Sequence, residues 1–196
     1  MKNIKNIFVV TLVITGALTS SLTWGELIFQ ESWESAGLNE GEAVGTLYSG
    51  WSSNYDGGKL RLWRPGSGAV PSRWNAAEPL SSPADGNTTL YLPSAVNHVV
   101  TGNPIEAGKT YTLTAAIGWD NAVVDQGSWA LLLYADSNDS GTYGGDTYIT
   151  QNYATNGTGV VNTPAQGGWV DNSVSFTAET GDAWIGKDLI IVLNQY

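Results

Sequence analysis

The chain has 196 residues, no cysteine and a formal net charge of −10 at pH 7. Thiol catalysis, disulfides and thiolate metal sites are therefore excluded, and nucleic acid is excluded as a partner because its binding needs a basic surface. The 24 glycines and nine tryptophans, with few charged helix-forming residues, predict an all-β protein with many turns.

The first residues are typical of a signal peptide. Lys2 and Lys5 precede an apolar run over residues 7–18, and small and polar residues follow it. The run is about half the length that a transmembrane helix needs. We therefore predict a signal peptide over residues 1–25, a secreted or cell-surface protein, and no membrane insertion of the mature domain. Residues 26–196 are long enough for a single domain.

Eight apolar or alternating runs, bounded by Gly, Pro, Asn and Asp, are predicted strands: 27–33, 59–63, 88–92, 109–119, 129–135, 147–153, 169–178 and 188–195. Their spacing predicts a two-sheet antiparallel β-sandwich or jelly roll. The run 129–135 is apolar on both faces, which predicts a central strand covered on both sides. The segment 141–168 is rich in Gly, Asn and Thr and is interpreted as a loop region with one short strand.

Side-chain alternation separates core from surface in these runs. Within 109–119, Tyr111, Leu113 and Trp119 share the apolar face and are predicted to lie in the core or at its rim. Large aromatic residues are often partly buried for packing alone, so aromatic residues on polar faces need a separate interpretation.

Four aromatic residues are predicted to point outward or to lie in a loop. Alternation places Trp63 beside Arg61 on a charged face, places Tyr91 and Trp169 on polar faces, and leaves Trp74 in a connection rich in Pro and Ser. An aromatic ring can stack on the apolar face of a sugar, and Arg61 can donate hydrogen bonds to its hydroxyls. These five residues are the predicted ligand site. The alternative is that the rings only cover the sheet.

Several motifs, in this order, carry a resemblance: "FQESWESAGL", "SGWSS", "PADGNTTLYL", "IEAGKTYTLTAAIG", "GGWVDNSVSFTA" and "GKDLIIVL". The order resembles the secreted galactose-binding-like jelly rolls that are grouped with carbohydrate-binding modules of families four, nine and twenty-two. The resemblance implies binding of a polysaccharide or cell-surface glycan, such as a β-glucan or xylan, within a chain that carries further domains.

The resemblance also implies a structural calcium ion between the first and last strands. Glu34 and Glu31 are the residues that match its ligands, and oxygen ligands suit Ca²⁺. Members of the family continue past the "LIIVL" strand to one more strand, so the resemblance implies either that the sequence is a fragment or that the sandwich lacks its last strand.

No motif predicts catalysis. The only histidine, His98, is interpreted as a surface or structural residue, and neither a zinc-binding cluster nor a Gly-x-Ser-x-Gly motif is present. The leading hypothesis is a non-catalytic carbohydrate-binding domain. The alternatives are an extracellular structural or adhesion domain without a glycan ligand, and a jelly-roll polysaccharide lyase or glycoside hydrolase.

Overall fold

The computed structural model describes residues 6–16, 26–31, 43–44, 50–53, 61–63, 89–92, 95–119, 128–155, 158–159, 164–165 and 168–195. Within these ranges the chain forms strands and no helix: β1 (Asn6–Gly16), β2 (Glu26–Glu31), β3 (Ala43–Val44), β4 (Trp51–Ser52), β5 (Arg61–Trp63), β6 (Thr89–Leu92), β7 (Val96–Val100), β8 (Lys109–Trp119), β9 (Trp129–Ala135), β10 (Thr147–Thr155), β11 (Thr158–Gly159), β12 (Trp169–Thr177) and β13 (Leu189–Gln195). The prediction of an all-β chain is confirmed.

The strands form two antiparallel sheets. Sheet A has seven strands in the order β12-β8-β1-β6-β5-β3, with β2 also paired to β1. Sheet B has six strands in the order β11-β10-β9-β13-β7-β4. This arrangement confirms the predicted two-sheet sandwich. No helix that could cross a membrane occurs in the described part of the chain.

Each of the eight predicted runs overlaps a strand, and β8 and β9 begin and end where the sequence predicts them. Side-chain alternation predicts these strands because the period of two residues is a local property of an extended chain. Strand β7 was not predicted. It pairs with β13, from Val100 opposite Leu189 to Val96 opposite Leu193.

Strand β1 lies within the segment predicted to be a signal peptide. It pairs with β8 along its whole length, from Asn6 opposite Trp119 to Gly16 opposite Lys109. The apolar and β-branched residues of this segment suit a strand between two others. Removal of residues 1–25 stays a prediction.

The core lies between the sheets. Sheet A contributes Tyr111 and Leu113 from β8, which are fully buried, as alternation predicts. Sheet B contributes inward residues of β9 and β13, among them Trp129, Leu131 and Ile191. Burial of each such side chain stabilises the fold by about 1.5–3 kcal/mol. Trp119 belongs to β8, but its side chain lies outside the described part of the structure.

The two central strands of sheet B, β9 and β13, are also buried on their outer face. Ala130 and Leu132 of β9 and Ile190 and Val192 of β13 alternate with the core residues, and they form a second buried apolar cluster. The prediction that residues 129–135 form a central strand covered on both sides is therefore confirmed.

Candidate functional site

Three of the predicted ligand residues lie in one row across sheet A. The register places Arg61 opposite Tyr91, Tyr91 opposite Ile7, Ile7 opposite Gly118, and Gly118 opposite Trp169. Neighbouring strands are about 4.8 Å apart, so the row spans about 19 Å. Its middle position is occupied by a residue of the predicted signal peptide.

The other predicted ligand residues are only partly described. Trp63 stands two positions after Arg61 in β5 and pairs with Thr89. The side chains of Arg61, Trp63 and Tyr91 and the whole of Trp74 lie outside the described residues. The side chain of Trp169 is described: it is partly buried on the polar face, as alternation predicts.

The predicted calcium ligands are not brought together within the described part of the chain. Glu31 ends β2, is partly buried and pairs with Val10, whereas Glu34 lies outside the described residues. Among the residues described, no group of three His, Cys, Asp or Glu side chains could hold a metal ion. Calcium binding therefore stays a prediction.

His98 is held by three neighbours at one edge of the sandwich. Its ring centroid is 4.4 Å from that of Phe29 and 5.2 Å from that of Trp51, and its Nδ1 lies 2.8 Å from the carbonyl oxygen of Gly50. Because a carbonyl oxygen only accepts, Nδ1 donates, and the neutral ring has its lone pair on Nε2. These contacts support the interpretation of His98 as a structural residue.

Outside the core, a set of aromatic side chains lies on the outer face of sheet B. We name it the tyrosine face, formed by the buried floor of Ala130, Leu132, Ile190 and Val192 and by four tyrosines, Tyr134, Tyr143, Tyr148 and Tyr153. The Tyr134 ring centroid is 5.0 Å from that of Tyr143 and 5.5 Å from that of Tyr148, and both pairs meet edge to face. Such pairs hold one another in fixed orientations.

Two of the four tyrosines form the exposed edge of this face. Tyr148 and Tyr153 on β10 are 48% and 45% exposed, whereas Tyr134 and Tyr143 are partly buried against the floor. Burial raises the pKa of the Tyr148 phenol above its ordinary value of 10.0. Its hydroxyl therefore stays protonated, and able to donate a hydrogen bond, at neutral pH.

A β-bulge brings the two exposed tyrosines to the same face. Residues five apart in a regular strand point to opposite sides. In β10 the register shifts between Tyr148 and Thr150, so Tyr148 pairs with Tyr134 while Tyr153 pairs with Ala130. Regular alternation along β10 predicts that Tyr148 and Tyr153 point to opposite faces. The tyrosine face therefore does not follow from the sequence alone.

The loop that carries Tyr143 is anchored by one buried carboxylate. Asp136 accepts hydrogen bonds from the backbone N–H groups of Ser140, at 3.0 Å, and Gly141, at 2.8 Å. Two such bonds to one ionised group fix the start of the loop. The loop in turn places Tyr143 against Tyr134.

One family model matches the chain over residues 27–196: the HpiC1-like family, described as HpiC1 cyclase. No curated protein and no solved structure matches the chain. The matched residues begin in β2, just after the predicted signal peptide.

The prediction that the protein is not an enzyme is wrong, because the matching family is named for a cyclase. That prediction rests on the absence of the residue sets that hydrolases, lyases and zinc enzymes use. Closing a ring within one molecule requires none of those residue sets, so their absence carried no information about this activity. The expected polysaccharide ligand stays a prediction.

Proposed function

Since the chain belongs to the HpiC1-like family, we propose that it is an enzyme that closes a ring within its substrate, and that the substrate binds on the tyrosine face. The observation that carries the location is the cluster of Tyr134, Tyr143 and Tyr148 on a buried apolar floor.

Ring closure requires that two parts of one flexible molecule are held together. An apolar floor favours a folded substrate because folding and binding both remove apolar surface from water. Leu132 is 6% exposed and Val192 is 2% exposed, so neighbouring side chains already cover the floor, and the substrate would enter at the exposed rings of Tyr148 and Tyr153. Exclusion of water also protects a reactive intermediate.

The tyrosines supply the two chemical properties that such a site needs. Their ring faces attract positive charge that develops in a substrate during bond formation. Their phenol hydroxyls can donate or accept a proton at a defined position. Tyr134 touches both Tyr143 and Tyr148 and is therefore the residue on which the cluster depends most.

The test is turnover by the purified protein. A panel of flexible, largely apolar compounds with at least two unsaturated groups is incubated with the protein and analysed by liquid chromatography and mass spectrometry. Ring closure by isomerisation gives a product of unchanged mass and altered retention time. We expect Tyr134→Ala to lower kcat/KM about 10- to 100-fold through lost positioning.

One further variant separates the role of a tyrosine hydroxyl from that of its ring, and another serves as the control. Tyr143→Phe keeps the ring and removes the hydroxyl, so it tests proton transfer alone. Thr112→Val, on the outer face of sheet A, is the matched control and should leave turnover unchanged. Full turnover by Tyr134→Ala would show that the reaction does not take place on the tyrosine face.

We also propose that the chain binds a glycan on the outer face of sheet A. Trp169 supports this proposal because it lies on the polar face, in the same row as the positions of Tyr91 and Arg61. Affinity electrophoresis in β-glucan and xylan gels tests it. Retardation of the wild type that Trp169→Ala and Tyr91→Ala both reduce is expected; equal mobility in every gel would contradict it.

A further inference from the structure

We propose that Asn97 is a recognition group of the tyrosine face, and that the substrate is a neutral, largely apolar molecule with one hydrogen-bond acceptor. This inference rests on the proposed function, because it names the class of substrate for the same site.

The register places Asn97 on the tyrosine face. Asn97 pairs with Val192, which pairs with Leu132, and both of these residues belong to the buried floor. Asn97 itself is 1% exposed. Its side chain is therefore withdrawn from water at one end of the apolar floor.

The two polar atoms of the Asn97 amide differ in their hydrogen bonding. Ser52 Oγ donates a hydrogen bond of 2.5 Å to Asn97 Oδ1. The amide nitrogen, Nδ2, is buried and has no hydrogen-bond partner among the described residues. A buried donor without a partner is costly, and native proteins keep few of them. A ligand oxygen that accepts from Nδ2 would remove this cost.

The dimensions of the face fit a molecule of two or three rings. Asn97 and Tyr134 are separated by two strand spacings and by two residues along the strands. With about 4.8 Å between strands and about 3.3 Å per residue, their separation is about 12 Å. A ligand of this length would reach from the Asn97 amide to the tyrosine cluster.

The charge of the face favours a neutral ligand. The described strand residues that share the face are Ser52, Asn97, Val99, Ala130, Leu132, Tyr134, Tyr148, Gln151, Tyr153, Ile190, Val192 and Asn194. None of these strand residues is charged, and the described residues that continue the alternation beyond β9 and β13, Asp136 and Asp188, supply no positive charge. A carboxylate or phosphate would be desolvated here without a cation to compensate it. A carbonyl, ether or hydroxyl oxygen is therefore the acceptor that suits the site.

The test uses two unreactive probes of the same shape. 2-Acetylnaphthalene carries a carbonyl oxygen, and 2-ethylnaphthalene has a methylene group in its place. Equilibrium dialysis of each probe against the purified full chain gives two dissociation constants. Because one buried hydrogen bond distinguishes the probes, we expect the wild type to bind 2-acetylnaphthalene about three- to tenfold more tightly.

Three variants test which residues cause the tighter binding of 2-acetylnaphthalene. Asn97→Leu should remove the preference while retaining affinity for 2-ethylnaphthalene. Tyr134→Ala should weaken the binding of both probes. Thr112→Val, on the other sheet, should change neither. Should Asn97→Leu fail to fold, the preference of the wild type still tests the proposal.

The possible failures are distinguishable. Binding of both probes with equal affinity, weakened by Tyr134→Ala, would overturn the role of Asn97 and leave the tyrosine face as a site. A preference that survives in Asn97→Leu would also overturn it. Absence of saturable binding of either probe would overturn both the role of Asn97 and the location of the substrate.

Discussion

The indole of Trp169 lies directly over Gly118 of the neighbouring strand. A Cβ atom placed on Gly118 would stand 2.9 Å from both Cε3 and Cζ3 of the ring. The two residues are paired in the register of β8 and β12. Glycine at this position therefore allows Trp169 to lie close against the sheet.

We expect Gly118→Val to displace the Trp169 ring and to lower the free energy of unfolding by about 1–3 kcal/mol, because valine would overpack the contact. Urea unfolding measures this change. In a Trp169→Ala background the same substitution should cost less, since the clash is gone. Equal costs in the two backgrounds would show that the contact does not determine the effect.

His98 should make stability depend on pH in a defined direction. Burial lowers its pKa below the ordinary value of 6.5, and the hydrogen bond to Gly50 opposes this effect. Between the folded pKa and 6.5 the unfolded chain binds more protons. The contribution of His98 is therefore complete above pH 6.5 and is lost as the pH falls through the folded pKa.

We expect the unfolding free energy of the wild type to fall more steeply below about pH 6.5 than that of His98→Gln, by at most about 1.4 kcal/mol per pH unit. Urea titrations at several pH values measure both slopes. Carboxylates contribute to each curve, so the difference between the curves is the quantity of interest. Parallel curves would mean that the protonation of His98 is not linked to folding.

Two aspartates in one loop should respond very differently to substitution. Asp136 is buried and accepts two backbone hydrogen bonds, so Asp136→Ala should cost about 2–4 kcal/mol. Asp139 is mostly exposed and pairs with Lys187, so Asp139→Asn, which tolerates the positive φ of this residue, should cost less than about 1 kcal/mol. Thermal unfolding measures both changes. Similar costs would contradict the anchoring role of Asp136.

The predicted calcium site can be tested through stability. With an affinity typical of extracellular calcium sites, about 10 mM Ca²⁺ should raise the unfolding free energy by about 1.4–2.7 kcal/mol relative to EGTA. Glu34→Gln should abolish this increase, and Mg²⁺ at the same concentration serves as the control. Identical unfolding in Ca²⁺ and EGTA would exclude a stabilising site at Glu31 and Glu34.

The fold could be predicted to a large extent because alternation is local. The inward positions of Tyr111 and Leu113, and the outward position of Trp169, follow from counting residues along one strand. The site could not be predicted in the same way. Asn97 becomes part of the tyrosine face only because β7 pairs with β13, and β7 was not among the predicted strands.

The sequence motifs did not predict an enzyme, for a different reason. Sequence motifs identify enzymes whose chemistry needs a fixed set of nucleophiles or metal ligands. A surface of tyrosines on an apolar floor has no such signature, since Tyr134 and Tyr143 are joined only by the loop that Asp136 anchors. The relation to a cyclase family is shown by the match over residues 27–196.

In β10, the number of residues between Tyr148 and Tyr153, together with the bulge, determines whether the two side chains share a face, whatever those residues are. Ile149 is the extra residue of the bulge, so its deletion would restore regular alternation, leave four steps between Tyr148 and Tyr153, and keep both tyrosines on the same face. An insertion between Thr150 and Tyr153 would instead turn one tyrosine toward the core. Homologous enzymes of this architecture should therefore tolerate loss of the bulge residue, while rarely gaining or losing a residue between Thr150 and Tyr153.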